Sequence, residues 1–398
     1  MNKLPTLKLG KDQERRLLAG HAWIYSNEVD AKETPLKSFS TGEQVAVVSQ
    51  RGKWIGNAYI NPHALICARV VSTDISKVLD EKLLTERISQ ALQLRESIYD
   101  DSFYRLVYGE SDFLPGLVID RYGDYLVMQI TTAGMDVVRS QIVSLLERLL
   151  SPRGILLRND TPMRAMEGLD SSVTVASGEI PPLVQLREGH SSFEVSLLEG
   201  QKTGWFFDQA ENRNEMQRFI REGSSVLDIC SYVGAWGIRA ACAGATEVIC
   251  VDSSNAALEQ VKHNAEMNGV QEHVRTMKND AFERLKKFAR REQQFDVVIL
   301  DPPAFIKRKK DLKEGMQAYR RLNALGLEVL KPGGMLITSS CSFHMAQSQL
   351  LNVVRQAGTR QKANLRVLKF GGQSIDHPVH PAIPESNYLK TIFVHKGY

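Results

Sequence analysis

VLDICSYVGAWG (226–237) moves from an apolar run, through an acid, into a turn of small residues, and helix-forming IRAAC follows it. That order reads as strand, tight turn and helix. Ser231, Gly234 and Gly237 are small enough for a ligand to reach the backbone. The turn is not G-x-G-x-x-G, so a pyrophosphate cradle, and with it a nicotinamide-linked oxidoreductase, is poorly supported. An acid, Asp228, sits inside the strand end instead.

The same pattern repeats downstream. EVICVD, FDVVILD and GGMLITSS are short apolar strands, and stretches such as AALEQVKHNAEMNG and QAYRRLNALGLEVLK between them have helical periodicity. Strands alternating with helices predict a parallel, doubly wound α/β sheet. Ligands of such sheets bind beyond the carboxyl ends of the strands. Asp252 lies 18 residues after Gly234, close to the offset of about 20 at which an acid meets ribose hydroxyls. KNDAF adds Asp280 and VILDPPAF adds Asp301. Asp280 could simply be a helix N-cap, and Asp252 could cap the helix after its strand. Four acids at successive strand ends are harder to explain that way.

Upstream, residues 1–75 are rich in β-type residues and turns. EQVAVVS and WIGNAYI, joined by an RGK turn, predict a hairpin. Residues 76–195 open with an amphipathic helix (KVLDEKLLTERISQALQLRESIY). Two strands follow around the Tyr122-Gly123-Asp124 turn, then a second helix, MDVVRSQIVSLLERLL. The expected organisation is a small β-rich module (1–75), a central α/β domain (76–195) and the doubly wound domain (196–398).

The charge balance, 50 Lys and Arg against 46 Asp and Glu, is a mild +4 and says little about a polyanion partner. Local runs say more. KRKK (307–310) and RLKKFARR (284–291) concentrate cations. Either could be a solvated face, and phosphate contact gains support where a run borders a catalytic pocket. Five cysteines without a C-x-x-C pair argue against zinc fingers and a disulfide framework. No signal-like or membrane-length apolar run occurs, so a cytoplasmic protein with no membrane association is expected. HPVHP (377–381) offers two histidines without further ligands and reads as a loop, with no metal expected.

Two features carry chemistry. In ILDPPAF (299–305) the prolines stiffen the loop and present Asp301. In LITSSCSFH (336–344) Cys341 follows the neighbouring strand, where its sulfur could approach Asp301. Such a pair suits methylation at carbon 5 of a pyrimidine. A thiolate adding to carbon 6 makes carbon 5 nucleophilic, which splits one hard step into two easier ones. Asp301 would then face the N3 and N4 edge. A carboxylate cannot help ionise the thiol, because like charge opposes it. The other four cysteines, Cys67, Cys230, Cys242 and Cys250, read as core. Phe305 and Phe343 are candidate stacking faces for an extruded base, and Lys307, Arg308, Lys309 and Lys310 candidate phosphate contacts.

The order of acids resembles the class I S-adenosylmethionine-dependent methyltransferases. The resemblance implies that Asp228, with Ser231 and Gly234, holds the methionine part, Asp252 the ribose and Asp280 the adenine amine. DPPAF, SSCSF and EGQKTGWFFDQAENR (199–213) together resemble the bacterial ribosomal RNA large subunit methyltransferase I family, cytosine-C5 methyltransferases of 23S RNA. GHAWIYSNEV resembles that family's N-terminal PUA domain, a small RNA-binding β-barrel. ESDFLPGLVIDRYGDY resembles its central α/β domain, and DHPVHPAIPESNYLKTIFV its terminal strands. The resemblance implies Cys341 as nucleophile, Asp301 as the Asp-Pro-Pro acid, and Lys202, Asp208, Gln209 and Arg213 lining the cleft, with Gln209 or Arg213 against the cofactor. It implies S-adenosylmethionine as methyl donor and ribosomal RNA as partner. Ala235 departs from the family's second glycine, and no second cysteine follows Asp301. Methylation of an exocyclic amine such as guanine N2, which needs no thiol, and a non-catalytic RNA-binding protein stay open. So do the target nucleotide and the oligomeric state, a homodimer among the alternatives.

Overall fold

The computed structural model describes residues 4–398, which divide into two compact units. The first holds the described residues up to Val184, together with Ser196–Phe207 and Asp376–Ser386. It contains two five-stranded sheets. In one, Gln44–Val48 pairs antiparallel with Trp54–Ile60, the predicted hairpin, and Gly52 takes the left-handed conformation its turn needs. Leu7, Ile24, Val45, Val47, Ile60 and Cys67 form its core. The other sheet carries Leu117–Tyr122 against Tyr125–Ile130, turning at Gly123. Helices Glu81–Glu96 and Arg139–Leu150 contribute Leu84, Ile88, Ile142 and Leu146 to its core.

Polar contacts explain why two later segments group with this unit. Buried Arg95 is bidentate to Asp112 and also donates to the Asp376 carbonyl at 2.8 Å. Asp376 accepts from the Arg105 N–H, and Ser386 from the Tyr108 hydroxyl. Arg158 donates to the carbonyls of Leu197 and Gly200. Within 376–386, His377 meets Asp376 at 2.8 Å, and HPVHP forms an irregular loop.

The second unit holds Gln185–Val195, Asp208–Ile375 and Asn387–Tyr398. Its strands are β1 (Ser225–Ile229), β2 (Glu247–Asp252), β3 (Val274–Lys278), β4 (Phe295–Leu300), β5 (Leu330–Ser340), β6 (Leu365–Gly371) and β7 (Lys390–Lys396). Helices α1 (Ala235–Cys242), α2 (Asn255–Met267), α3 (Ala281–Arg290), α4 (Leu312–Glu328) and α5 (Gln347–Arg360) connect them. The sheet order is β3-β2-β1-β4-β5-β7-β6, with β7 antiparallel to both neighbours. All five residues of β1 are buried, as expected for a central parallel strand covered on both faces. Leu227, Ile249, Val298, Leu300 and Leu336 meet helix residues Leu285, Tyr319, Leu322, Leu350 and Val353 in one core.

The predicted doubly wound domain is therefore present, and the chain reverses its winding between β1 and β4. RLKKFARR lies on α3, with Leu285 and Phe288 in the core. One expectation fails. Cys242 is not a core residue: it ends α1 and its side chain is exposed. Cys67 and Cys250 are buried, and Cys230 packs against the core.

Candidate active site

The site gathers where the winding reverses, at the crevice beyond the carboxyl ends of β1 and β4. The turn after β1 is strained: Cys230 (φ 64°) and Tyr232 (φ 49°) are left-handed without being glycine. Hydrogen bonds hold it there. The N–H groups of Cys230 and Ser231 donate to the Val251 carbonyl, and that of Tyr232 to Asp252 Oδ2 at 2.9 Å. Gly234 (φ 86°) starts α1, and a Cβ there would press on Ile238 and Val261.

Asp228 is buried, and its Oδ2 accepts from the Gly237 N–H at 3.0 Å. Its Oδ1 and the Ser231 hydroxyl are buried without a hydrogen-bond partner among the described residues. Unmet polar atoms beside a glycine turn suit a ligand carrying an ammonium, and S-adenosylmethionine has one. Burial raises the Asp228 carboxyl to about 8, against the Gly237 hydrogen bond and with help from Asp301 and Asp252. Asp252 Oδ1 accepts from the Ser254 N–H, so this acid braces both the turn and the start of α2. Asp280 is exposed and caps α3 through the Glu283 N–H. Asp280 thus has the capping role that the sequence left open, whereas Ser254 rather than Asp252 caps α2; both acids keep their place at the strand ends.

Asp301 follows β4. Its Oδ1 accepts from Gln209 Nε2 and its Oδ2 from the Trp236 indole N–H, both at 3.0 Å. Burial lifts its carboxyl to about 6, the Trp236 hydrogen bond opposes this, and Asp208 adds to it. Gln209 is itself fixed by Asn212, which donates to its Oε1 at 2.7 Å. Arg213 is buried and bidentate to Glu188, which also pairs with Arg239. Burial works against the Glu188 carboxylate, but the two guanidiniums hold it below the usual range.

Cys341 follows β5, and the register brings it to the same edge. Leu300 of β4 pairs with Thr338 of β5, so Asp301 is one residue past that pair and Cys341 three. The two loops are tied directly: Ile306 donates its N–H to the Ser342 hydroxyl at 3.1 Å. Tyr319 of α4 braces the same corner, within 3.0 Å of the Ser342 hydroxyl and 2.9 Å of the Ser340 hydroxyl. Cys341 is half-buried, neither sealed in the core nor loose. Phe305 packs on Tyr319, with centroids 4.7 Å apart, whereas Phe343 is 47% exposed beside His344. Lys307, Arg308, Lys309 and Lys310 are exposed immediately after Ile306, and Arg308 pairs with Asp311.

Sequence reasoning missed four side chains that shape this site. Trp236 lies inside the quoted turn but carries no charge to flag it. Glu188 comes from a hairpin distant in sequence. Lys390 opens β7, and its ammonium donates to the carbonyls of Ser342 (2.8 Å) and Tyr388 (2.7 Å). The Tyr388 hydroxyl donates to Asp208 Oδ2. Lys202 belongs to the first unit, where its ammonium lies 4.9 Å from the Phe206 ring centre. A separate cleft of about 510 Å³ lies in the first unit among His21, Arg87, Glu110, Phe113 and His380, and none of the residues named for the site lines it.

A PUA-like domain family matches residues 7–73, and a family described as conserved hypothetical protein 95 matches 206–367. Ribosomal RNA large subunit methyltransferase I of Cronobacter sakazakii is 35% identical over 395 residues, 98% of each chain. The protein of that name from Tolumonas auensis is 36% identical over 396 residues, again 98% of each. Among solved structures, a candidate S-adenosylmethionine-dependent methyltransferase from Streptococcus mutans aligns with TM-score 0.82 at 23% identity, over 98% of this chain and 100% of its own. A candidate methyltransferase complexed with S-adenosylhomocysteine aligns with TM-score 0.85 at 23% identity, over the same shares.

Proposed function

The chain belongs to the ribosomal RNA large subunit methyltransferase I family, and from that membership we propose that it methylates carbon 5 of a cytosine in large-subunit RNA through a covalent bond to Cys341. It is an S-adenosylmethionine-dependent ribosomal RNA methyltransferase with an RNA-binding PUA-like domain. The finer reading rests on one observation. The loop carrying Asp301 and the loop carrying Cys341 are joined by the Ile306–Ser342 hydrogen bond, at the sheet edge that also carries Asp228.

S-adenosylmethionine supplies an electrophilic methyl group on a sulfonium. Asp228 and Ser231 would hold its amino-acid part beside Gly234, Asp252 would receive the ribose hydroxyls, and Asp280 would serve the adenine amine. The Cys341 thiolate adds to carbon 6 of the cytosine. A sulfur–carbon bond forms, and the carbon 5–carbon 6 pair becomes available to carbon 5. Asp301 gives its proton to N3 as the ring gains charge, a role suited to a carboxyl titrating near 6. Carbon 5 takes the methyl group and the donor leaves as a thioether. The carbon-5 proton passes to solvent, the carbon 5–carbon 6 double bond re-forms as sulfur departs as thiolate, and N3 returns its proton to Asp301. Phe343 offers a face for the extruded base, and Lys307 to Lys310 offer charge to flanking phosphates.

Cys341→Ala separates this chemistry from methylation of an exocyclic amine. Loss of activity with retained S-adenosylhomocysteine binding supports the thiol route. Near-full activity, with the methyl group found on an amine, would replace it.

A further inference from the structure

Cys341 needs a neighbouring cation, because a free thiol is only a few per cent ionised near neutral pH. Asp301 cannot serve, since a carboxyl is never a cation and its ionised form opposes a thiolate. The groups around the sulfur come from several elements. Tyr319 faces it from α4, and Tyr319 stays neutral: burial raises its hydroxyl against the hydrogen bonds of Ser340 and Ser342. His344 lies in the same loop, half-buried. Lys390 comes from β7, where it is the register partner of Ser340, one residue before Cys341.

Lys390 is 7% exposed, an unusual place for an ammonium with no carboxylate partner among the described residues. Two of its three N–H groups donate to the carbonyls of Ser342 and Tyr388. The third is uncommitted among the described residues. Its position follows from sequence and sheet together. Residue 390 is the first of an antiparallel strand inserted beside β5, so its side chain emerges where β5 ends and the Cys341 loop begins.

We propose that Lys390 is a positioning residue for methyl transfer: its buried ammonium stabilises the Cys341 thiolate and fixes the sulfur's loop by holding the Ser342 carbonyl. The thiol proton goes to solvent, and the ammonium keeps its own. Burial lowers Lys390 to about 8, against the opposing pull of the Cys341 charge. Coupling of that kind is reciprocal, so the ammonium lowers the thiol as the thiolate raises the amine.

The inference rests on Cys341 as nucleophile, and its test reads the thiol rather than the methylation product. Alkylation of Cys341 by iodoacetamide, followed peptide by peptide against pH, is compared in the full-length protein, Lys390→Met and Lys390→Arg. Lys390→Met shifts the midpoint up by about one pH unit, leaving roughly a tenth of the reactive thiolate at neutral pH. Lys390→Arg, with its permanent charge, keeps a profile near that of the unaltered protein. The kcat for methyl transfer falls in Lys390→Met in step with the lost thiolate, and KM for S-adenosylmethionine does not change. A Lys390→Met profile superimposed on the unaltered one overturns the proposal.

Should Lys390→Met fail to fold, the coupling is read from the other side. In Cys341→Ser the Lys390 amine loses its counter-charge, so it acylates faster at neutral pH, and an unchanged rate again overturns the proposal. If Cys341→Ala methylates normally, the covalent mechanism falls whatever the alkylation profile does. If Cys341→Ala is inactive while the profile stays put, only the role of Lys390 falls.

Discussion

The Ser342 hydroxyl accepts the Ile306 N–H at 3.1 Å while lying 3.0 Å from the Tyr319 hydroxyl, so one side chain fastens the acid-bearing loop to the cysteine-bearing loop and both to α4. Ser342→Ala leaves the buried Ile306 N–H without its partner and takes one of the Tyr319 hydroxyl's, a cost of about 1–3 kcal/mol in stability. The loops lose registry, and kcat falls about tenfold, equivalent to about 1.4 kcal/mol in the barrier. Calorimetry with S-adenosylhomocysteine gives an unchanged affinity, because the β1 turn is untouched. Loss of kcat and affinity together would contradict the assignment.

With Asp228 as the proposed partner of the donor's ammonium, donor binding depends on pH. Its carboxyl is raised to about 8, so at pH 7 the free protein holds it protonated. A cationic ligand favours the carboxylate. Binding of S-adenosylmethionine at pH 7 therefore releases up to one proton, and affinity rises with pH until about 8. Titrations in two buffers of different ionisation heat measure the release directly. The stability sign is fixed too: the folded value lies above the unfolded one, about 3.9, so this contribution is present below about 4 and lost as pH rises towards 8. Asp228→Asn removes both effects. Equal heats in the two buffers would contradict this linkage.

Asp301→Asn keeps a group for Gln209 and Trp236 to touch but removes the acid. The expected loss in kcat is about 10²–10⁴, the range of a general acid. S-adenosylhomocysteine affinity changes little, since the proposed arrangement gives the methionine end to Asp228. An active Asp301→Asn enzyme would leave N3 needing no proton from the protein.

Replacing Lys307, Lys309 and Lys310 with Ala tests the basic run. Each lysine withdrawn from a phosphate of single-stranded RNA flattens the plot of log affinity against log salt by about 0.7, so three lower the slope by about 2. Affinity falls for every RNA sequence alike. An unchanged slope would return the run to the role of a solvated face.

The doubly wound sheet was legible because β1, β2 and β4 are apolar runs closed by acids, and parallel strands leave that signature when both faces are covered. Asp228, Asp301 and Cys341 were legible for the same reason: each stands at or just past a strand end, where such sheets bind ligands. What stayed hidden depends on partners distant in sequence. Glu188 reaches Arg213 from a hairpin, and Lys390 reaches the Ser342 carbonyl only because β7 inserts antiparallel beside β5. The grouping of 376–386 with the first unit depends on Arg95, buried from a helix nearly three hundred residues earlier. Cys242 misled because its neighbours in α1 are apolar, while its own position at the helix end faces outward.

At the centre of the proposed mechanism is a bond between sulfur and a pyrimidine ring. RNA carrying 5-fluorocytidine at the target position, incubated with the protein and S-adenosylmethionine, tests it most directly, because fluorine blocks the proton loss that frees the enzyme. The predicted result is a protein–RNA adduct that survives denaturation, maps to the Cys341 peptide and is absent in Cys341→Ala. Methylation of ordinary RNA without any such adduct, or an adduct mapping to another cysteine, would contradict it.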